Sequence, residues 1–145
     1  MAVTAGWYGL GMKAIVCGTV DLQGDLFGAM LCNGYSPNPD THRYRSDVTA
    51  ETIGTSGYTV GGATLAGNTV SYDTASDETR WTFTNPAWTQ ASFTAAQMVV
   101  YRRAGGTSSA DELIAWVDFG GSNAVVLGTF TYQVDATGFA YIDTT

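Results

Sequence analysis

Charge is what this sequence has least of. Charged residues make up 13% of its 145 positions, about half the usual ~25%. The balance is acidic: 13 acids against 6 bases give a net charge of −7. A nucleic-acid binder presents a basic face, and a protein held on anionic lipid heads presents basic clusters. Neither partner is expected. Histidine is nearly absent, with His42 the single one. The two cysteines, Cys17 and Cys32, have no CxxC or Cys/His spacing, so no zinc site is expected. No P-loop, nucleophile elbow or dinucleotide-binding fingerprint is present. The expectation is a chain that is not an enzyme and carries no cofactor and no metal. No apolar run approaches the roughly 18 residues of a membrane helix. Lys13 is the only base in the first 40 residues and interrupts an apolar stretch, unlike a secretory leader. A soluble chain made in a cytoplasm is expected.

What is present points to a packed β domain. Apolar residues make up 45% of the chain, a normal globular share, and its length fits one domain, 1–145. The polar positions are filled by Thr, Ser, Asn and Gly. Val70–Asp73, Trp81–Thr84 and Phe130–Asp135 alternate apolar and polar residues, as half-buried strands do. The residues 74–78 between the first two read as a hairpin loop. Leu26–Cys32, Gln97–Tyr101 and Leu113–Phe119 are near-continuous apolar runs, which suits strands covered on both faces. Gly105-Gly106 marks the turn before Leu113. Tyr58–Leu65 reads as a strand broken by Gly61-Gly62. Phe130–Asp135 and Phe139–Ile142 read as a terminal hairpin across Gly138. Trp7, Leu10, Ala14 and Cys17 fall at helical spacing, although Gly9 and Gly11 weaken a helix over 7–17. Asp40-Thr41 is a candidate cap for a short helical turn. The expected fold is mainly β: a single-domain antiparallel β-sandwich or barrel of about eight short strands, with at most one or two short helices.

Chemistry-bearing clusters are few. His42 lies among Asp40, Arg43, Arg45 and Asp47 and reads as a solvated loop residue rather than a general base. Asp73, Asp77 and Glu78 share one loop but lack the ladder of a calcium-binding loop. Cys17 and Cys32 both sit in apolar contexts and read as buried, reduced thiols, with a disulfide left open. Trp81, Phe83, Trp116, Phe119, Phe130 and Tyr132 sit in strand segments and read as core or its borders. Trp7, Tyr8, Tyr35, Tyr44 and Trp88 fall in expected loops or near the terminus. With Arg43 and Arg45 they are the candidate interface residues, because Trp, Tyr and Arg are enriched at protein contacts. Residues 1–12 form a candidate interacting N-terminal arm.

Several segments occur in a particular order: Val20-Asp21-Leu22, Asn33–His42, Gly57–Leu65, Val70–Asp73, Met98–Arg102 and Leu113–Gly120. Over roughly residues 12–142 this order, with Tyr58-Thr59-Val60-Gly61-Gly62-Ala63-Thr64-Leu65 as its most specific piece, resembles a family of small β-rich virion proteins of tailed bacteriophages. The resemblance implies a structural role without an active site. The expected role is a capsid decoration or cement protein; a tail or fibre component binding a host surface or glycan is the alternative. It implies the virion as location, and as partners the major capsid protein and neighbouring copies of the chain.

Overall fold

The computed structural model describes residues 2–53 and 55–144. Among them are one α-helix, one 3-10 turn and eight strands: β1 (Thr4–Trp7), α1 (Gly9–Val16), β2 (Phe27–Cys32), the 3-10 turn Arg45–Asp47, β3 (Ala63–Thr64), β4 (Thr69–Asp73), β5 (Glu78–Thr82), β6 (Ala87–Arg102), β7 (Leu113–Thr131) and β8 (Ala140–Asp143). They form two antiparallel sheets, ordered β1-β7-β6-β2-β3 and β4-β5-β8. The mainly-β expectation holds. The two sheets remain separate and do not close into a barrel.

Hydrophobic matter lies on both faces of the larger sheet. On the inner face Phe27, Ala29, Leu31, Met98, Val100, Ala115 and Val117 pack toward Trp81 and Phe83 of the smaller sheet's side. Trp81 is the centre of that layer, meeting Trp7, Phe27, Phe83 and Phe139 at ring-centroid distances of 5.0–6.4 Å. On the outer face Met30, Cys32, Val99, Tyr101 and Leu113 are covered by Tyr8, Tyr35 and Val48. This double cover is why the runs at Leu26–Cys32 and Gln97–Tyr101 lack the alternation of a half-exposed strand.

The elements differ from the sequence expectation in several places. Helix α1 is shorter than 7–17: Trp7 ends β1, and Tyr8 is the extended residue before the helix. Gly11 lets the helix sit on β7, since a Cβ there would run into the carbonyl of Leu113. Tyr58–Leu65 yields only the two-residue strand β3, because Gly61 and Gly62 hold positive φ of 89° and 73°. The runs at 113–119 and 130–135 belong largely to one 19-residue strand, β7, which ends at Thr131. It pairs with the 16-residue β6, so these two strands are not short. The terminal hairpin does not form: β8 pairs with β5 in the other sheet. Asp40-Thr41 starts no helix. Their backbone N–H groups donate to Asn38 Oδ1, and the short turn comes later, with Asp47 accepting from the N–H groups of Arg43 and Tyr44. Cys17 is exposed, correcting its buried reading; Cys32 is buried, and both are free thiols.

Candidate functional site

β1 and β8 are the outermost strands of their sheets, and each has one side without a strand partner among the described residues. Between them the sandwich opens into a cleft of about 360 Å³. Its lips are Ala5, Gly6 and Trp7 on one side and Ala140 and Tyr141 on the other, over a floor that includes Val117, Tyr132 and Phe139. None of its lining residues is charged. Tyr132 also borders an adjoining hollow of about 300 Å³ with Val3, Phe119 and Phe130. Trp7 reaches this site because β1 runs antiparallel along β7, with Trp7 opposite Ala115. Its ring stacks on Trp81. Trp116 lines the cleft too, and its indole N–H has no acceptor among the described residues.

An apolar rim continues this site along β7. From Phe119 to Val134 the chain contains no charged residue. β1 covers β7 only as far as Asp118, and the rest of that side has no strand partner among the described residues. The segment bulges: the register with β6 shifts between Ala95 and Gln97 and again between Ala91 and Phe93. At the second shift Leu127 holds a φ of 47° and donates its N–H to Ser92 Oγ. Val126 and Leu127 protrude, 79% and 86% exposed. A left-handed Leu costs about 1 kcal/mol or more. Bulges of this kind blunt an open sheet side against endless strand pairing, while leaving an apolar knob on the surface.

The expected interface residues divide into three groups. Trp7 lines the cleft. Tyr8, Tyr35 and Trp88 are buried, at 0%, 2% and 5% exposure; Tyr8 and Tyr35 lie outside the helices and strands as expected, whereas Trp88 lies in β6 rather than in a loop. Trp88 lies on β6 against Phe130, and the two tyrosines pack on the outer sheet face. Arg43, Tyr44 and Arg45 sit together near the edge of that face. Arg43 pairs with Glu112 at 3.2 Å and stacks over Tyr44, and Arg45 pairs with Asp111 at 2.9 Å. Arg45 and Arg103 both lie over the Tyr101 ring, at 5.2 and 5.4 Å. The arginines are therefore structural ties first, with Arg43 half exposed. Arg43 and Glu112 border a cleft of about 220 Å³ with Lys13 and the exposed Cys17, and Glu112 Oε2 has no hydrogen-bond partner among the described residues.

The remaining polar clusters are tied internally. Asp73 and Glu78 both pair with Arg80, and Asp77 accepts from the Tyr72 hydroxyl. Backbone N–H donors, Ala75 first, hold the Asp73 carboxyl below the usual carboxylate range. Among the described residues no group of three or more His, Cys, Asp or Glu is arranged to hold a metal ion. His42 Nδ1 meets the Tyr35 hydroxyl at 2.7 Å and the N–H of Asn38 at 3.2 Å, not a carboxylate. Compared with family models, curated proteins and solved structures, the chain matches none.

The Leu127 knob and the paired open strands were not legible in the sequence. Local patterning does not say which strand ends a sheet. The available signal was the charge-free run from Phe119 to Val134.

Proposed function

We propose that this chain is a structural protein of a tailed-phage virion, a decoration protein that binds the head shell and stabilises it. The observation that carries this reading is the uncharged cleft between the open sides of β1 and β8, continued by the Val126-Leu127 knob. Exposed apolar patches rimmed by polar residues often mark interaction sites. An extended segment of a shell protein fits here, because free strand sides supply main-chain hydrogen bonds and the cleft supplies side-chain contacts. The surface also suits a crowded lattice. A net charge of −7 keeps free copies apart in solution, and the uncharged side allows close approach to protein. Many equivalent modest contacts then act together through avidity. The order of segments that resembles small phage virion proteins supports the same reading.

The test is to add purified protein to mature phage heads that lack it. Cosedimentation, shell-surface density by cryo-electron microscopy and raised heat resistance of the heads are expected. Density on the tail instead of the shell would replace the decoration role with that of a tail component. No binding to any part of the particle would end the virion reading.

A further inference from the structure

The outer sheet face carries a chain of three side chains that runs from a dry interior to the surface. The Tyr8 hydroxyl meets the Tyr35 hydroxyl at 2.9 Å, and the Tyr35 hydroxyl meets His42 Nδ1 at 2.7 Å. Tyr8 is fully buried and Tyr35 is 2% exposed. The Tyr35 ring also stacks on the imidazole, 5.6 Å between centroids.

The direction of these bonds follows from a fourth group. The backbone N–H of Asn38 points at His42 Nδ1 at 3.2 Å, and a backbone N–H can only donate. This contact requires an unprotonated Nδ1, that is, the tautomer with its hydrogen on Nε2. Tyr35 then donates to Nδ1, and Tyr8 donates to the Tyr35 oxygen. The Asn38 N–H and the Tyr35 hydroxyl share the single lone pair of Nδ1.

Adding a proton reverses the chain. An imidazolium has hydrogen on both nitrogens. Nδ1–H must donate to the Tyr35 oxygen, and Tyr35 must turn its own hydrogen to Tyr8. The Tyr8 hydrogen then has no acceptor in a site closed to water, and the Asn38 N–H faces another N–H. We infer that the Tyr8–Tyr35–His42 chain is a pH-sensitive latch that holds the segment 33–44 on the outer sheet face and loosens when His42 gains a proton.

The groups around the imidazole are few. Asp47, on the 3-10 turn, is held low in part by the nearby His42, and its Oδ2 is already taken by the N–H groups of Arg43 and Tyr44. Cys32 lies beside the two tyrosines, and burial pushes its thiol up to about 12, so it stays neutral. Asp40 and Arg43 flank the histidine in sequence, and Arg43 is held by Glu112. The ties Arg43–Glu112 and Arg45–Asp111 do not involve the latch, so loosening is local and the sheets persist. The inference is independent of the virion role.

Hydrogen exchange of the full-length protein at pH 7.5 and pH 5.5, corrected for intrinsic rates, tests it. The window lies above the ordinary carboxylate range. Peptides covering 33–44 are expected to lose roughly tenfold in protection at pH 5.5, the equivalent of one lost hydrogen bond. Peptides in β4 and β5 are expected to stay unchanged. His42→Gln, which keeps an acceptor and does not titrate, is expected to remove the pH dependence. Tyr8→Phe moves the orphaned hydrogen to Tyr35 without removing it, so the pH dependence is expected to persist in that variant. Equal protection of 33–44 at both pH values in the wild type would overturn the latch. So would a uniform loss over the whole chain, or an undiminished pH dependence in His42→Gln.

Discussion

Gly62 and Gly105 have nearly the same backbone, with φ of 73° and 76°, yet their surroundings differ. A Cβ on Gly62 would collide with the carbonyl of Ala29 in β2, whereas one on Gly105 meets open space. Gly105→Ala should therefore cost about 1 kcal/mol, the left-handed penalty alone. Gly62→Ala should cost about 3 kcal/mol or more, because β3 must also leave β2. Urea midpoints of the two variants measure the difference, and equal losses would contradict this packing. The ion pairs are also read at this scale. Asp111 is 4% exposed and accepts from Arg45 and from the N–H of Ala104. Asp111→Ala strands a guanidinium whose side chain is only 19% exposed and should cost about 3–5 kcal/mol in urea unfolding. The cysteines give a third check. Cys17 is exposed and Cys32 buried, so a thiol reagent should modify one equivalent in the native protein and the second only in denaturant. The sequence placed both thiols in apolar stretches. It could not show that Cys17 ends α1 on its open side, because helical spacing groups residues on a face without saying which way that face turns.

Strand β7 carries the clearest lesson at the level of elements. Its two ends fall in segments that read as strands, because Leu113–Phe119 is near-continuously apolar and Phe130–Asp135 alternates. The middle, Gly120-Gly121-Ser122-Asn123, reads as a break. The structure keeps one strand by bulging: β6 spends one residue, Ala96, where β7 spends four, 119–122. Period-two patterning fails wherever a bulge adds a residue, so the middle of β7 was illegible for a physical reason. The same bulging sets the Leu127 knob, which gives a prediction. Leu127→Asn places a residue that tolerates positive φ at an exposed position. Its unfolding free energy in urea should stay level or rise by up to about 1 kcal/mol, and the proposed shell docking predicts weaker binding to phage heads. A variant that loses stability would mean that the Leu127 side chain packs within the chain. A stable variant that binds heads as tightly as the wild type would remove the knob from the docking surface.

For the whole molecule, buried thiol and phenol groups and hydrogen-bonded surface carboxylates set the pH range of stability. Burial pushes the Cys32 thiol up to about 12 and raises the hydroxyls of Tyr8, Tyr35, Tyr58, Tyr101 and Tyr132 above their ordinary value. The unfolded chain loses these protons first, so the stability they protect is complete below about pH 8.5 and falls as pH rises beyond it. Backbone donors do the opposite for Asp21, Asp47, Asp73 and Asp135, whose carboxyls are held low. That contribution is present above about pH 4 and lost on further acidification. Thermal midpoints should therefore decline above pH 9 and below pH 4. Replacing Cys32 with Ser should flatten the first part of the alkaline decline, and an unchanged alkaline slope would show that Cys32 does not titrate during unfolding.

By itself the sequence determined the mainly-β class, the continuous apolar strands at β2 and the C-terminal half of β6, the β4–β5 hairpin and the short helix near the N-terminus. These rest on local periodicity and turn residues, which act within a few positions of the chain. Only the tertiary structure decided that β8 joins β5 rather than β7, that Tyr8, Tyr35 and Trp88 turn inward, and that β1 and β8 are left open across an uncharged cleft. Those outcomes depend on contacts between residues far apart in the chain, up to the 108 to 114 positions between paired residues of β1 and β7, and no local pattern records which distant strand arrives alongside.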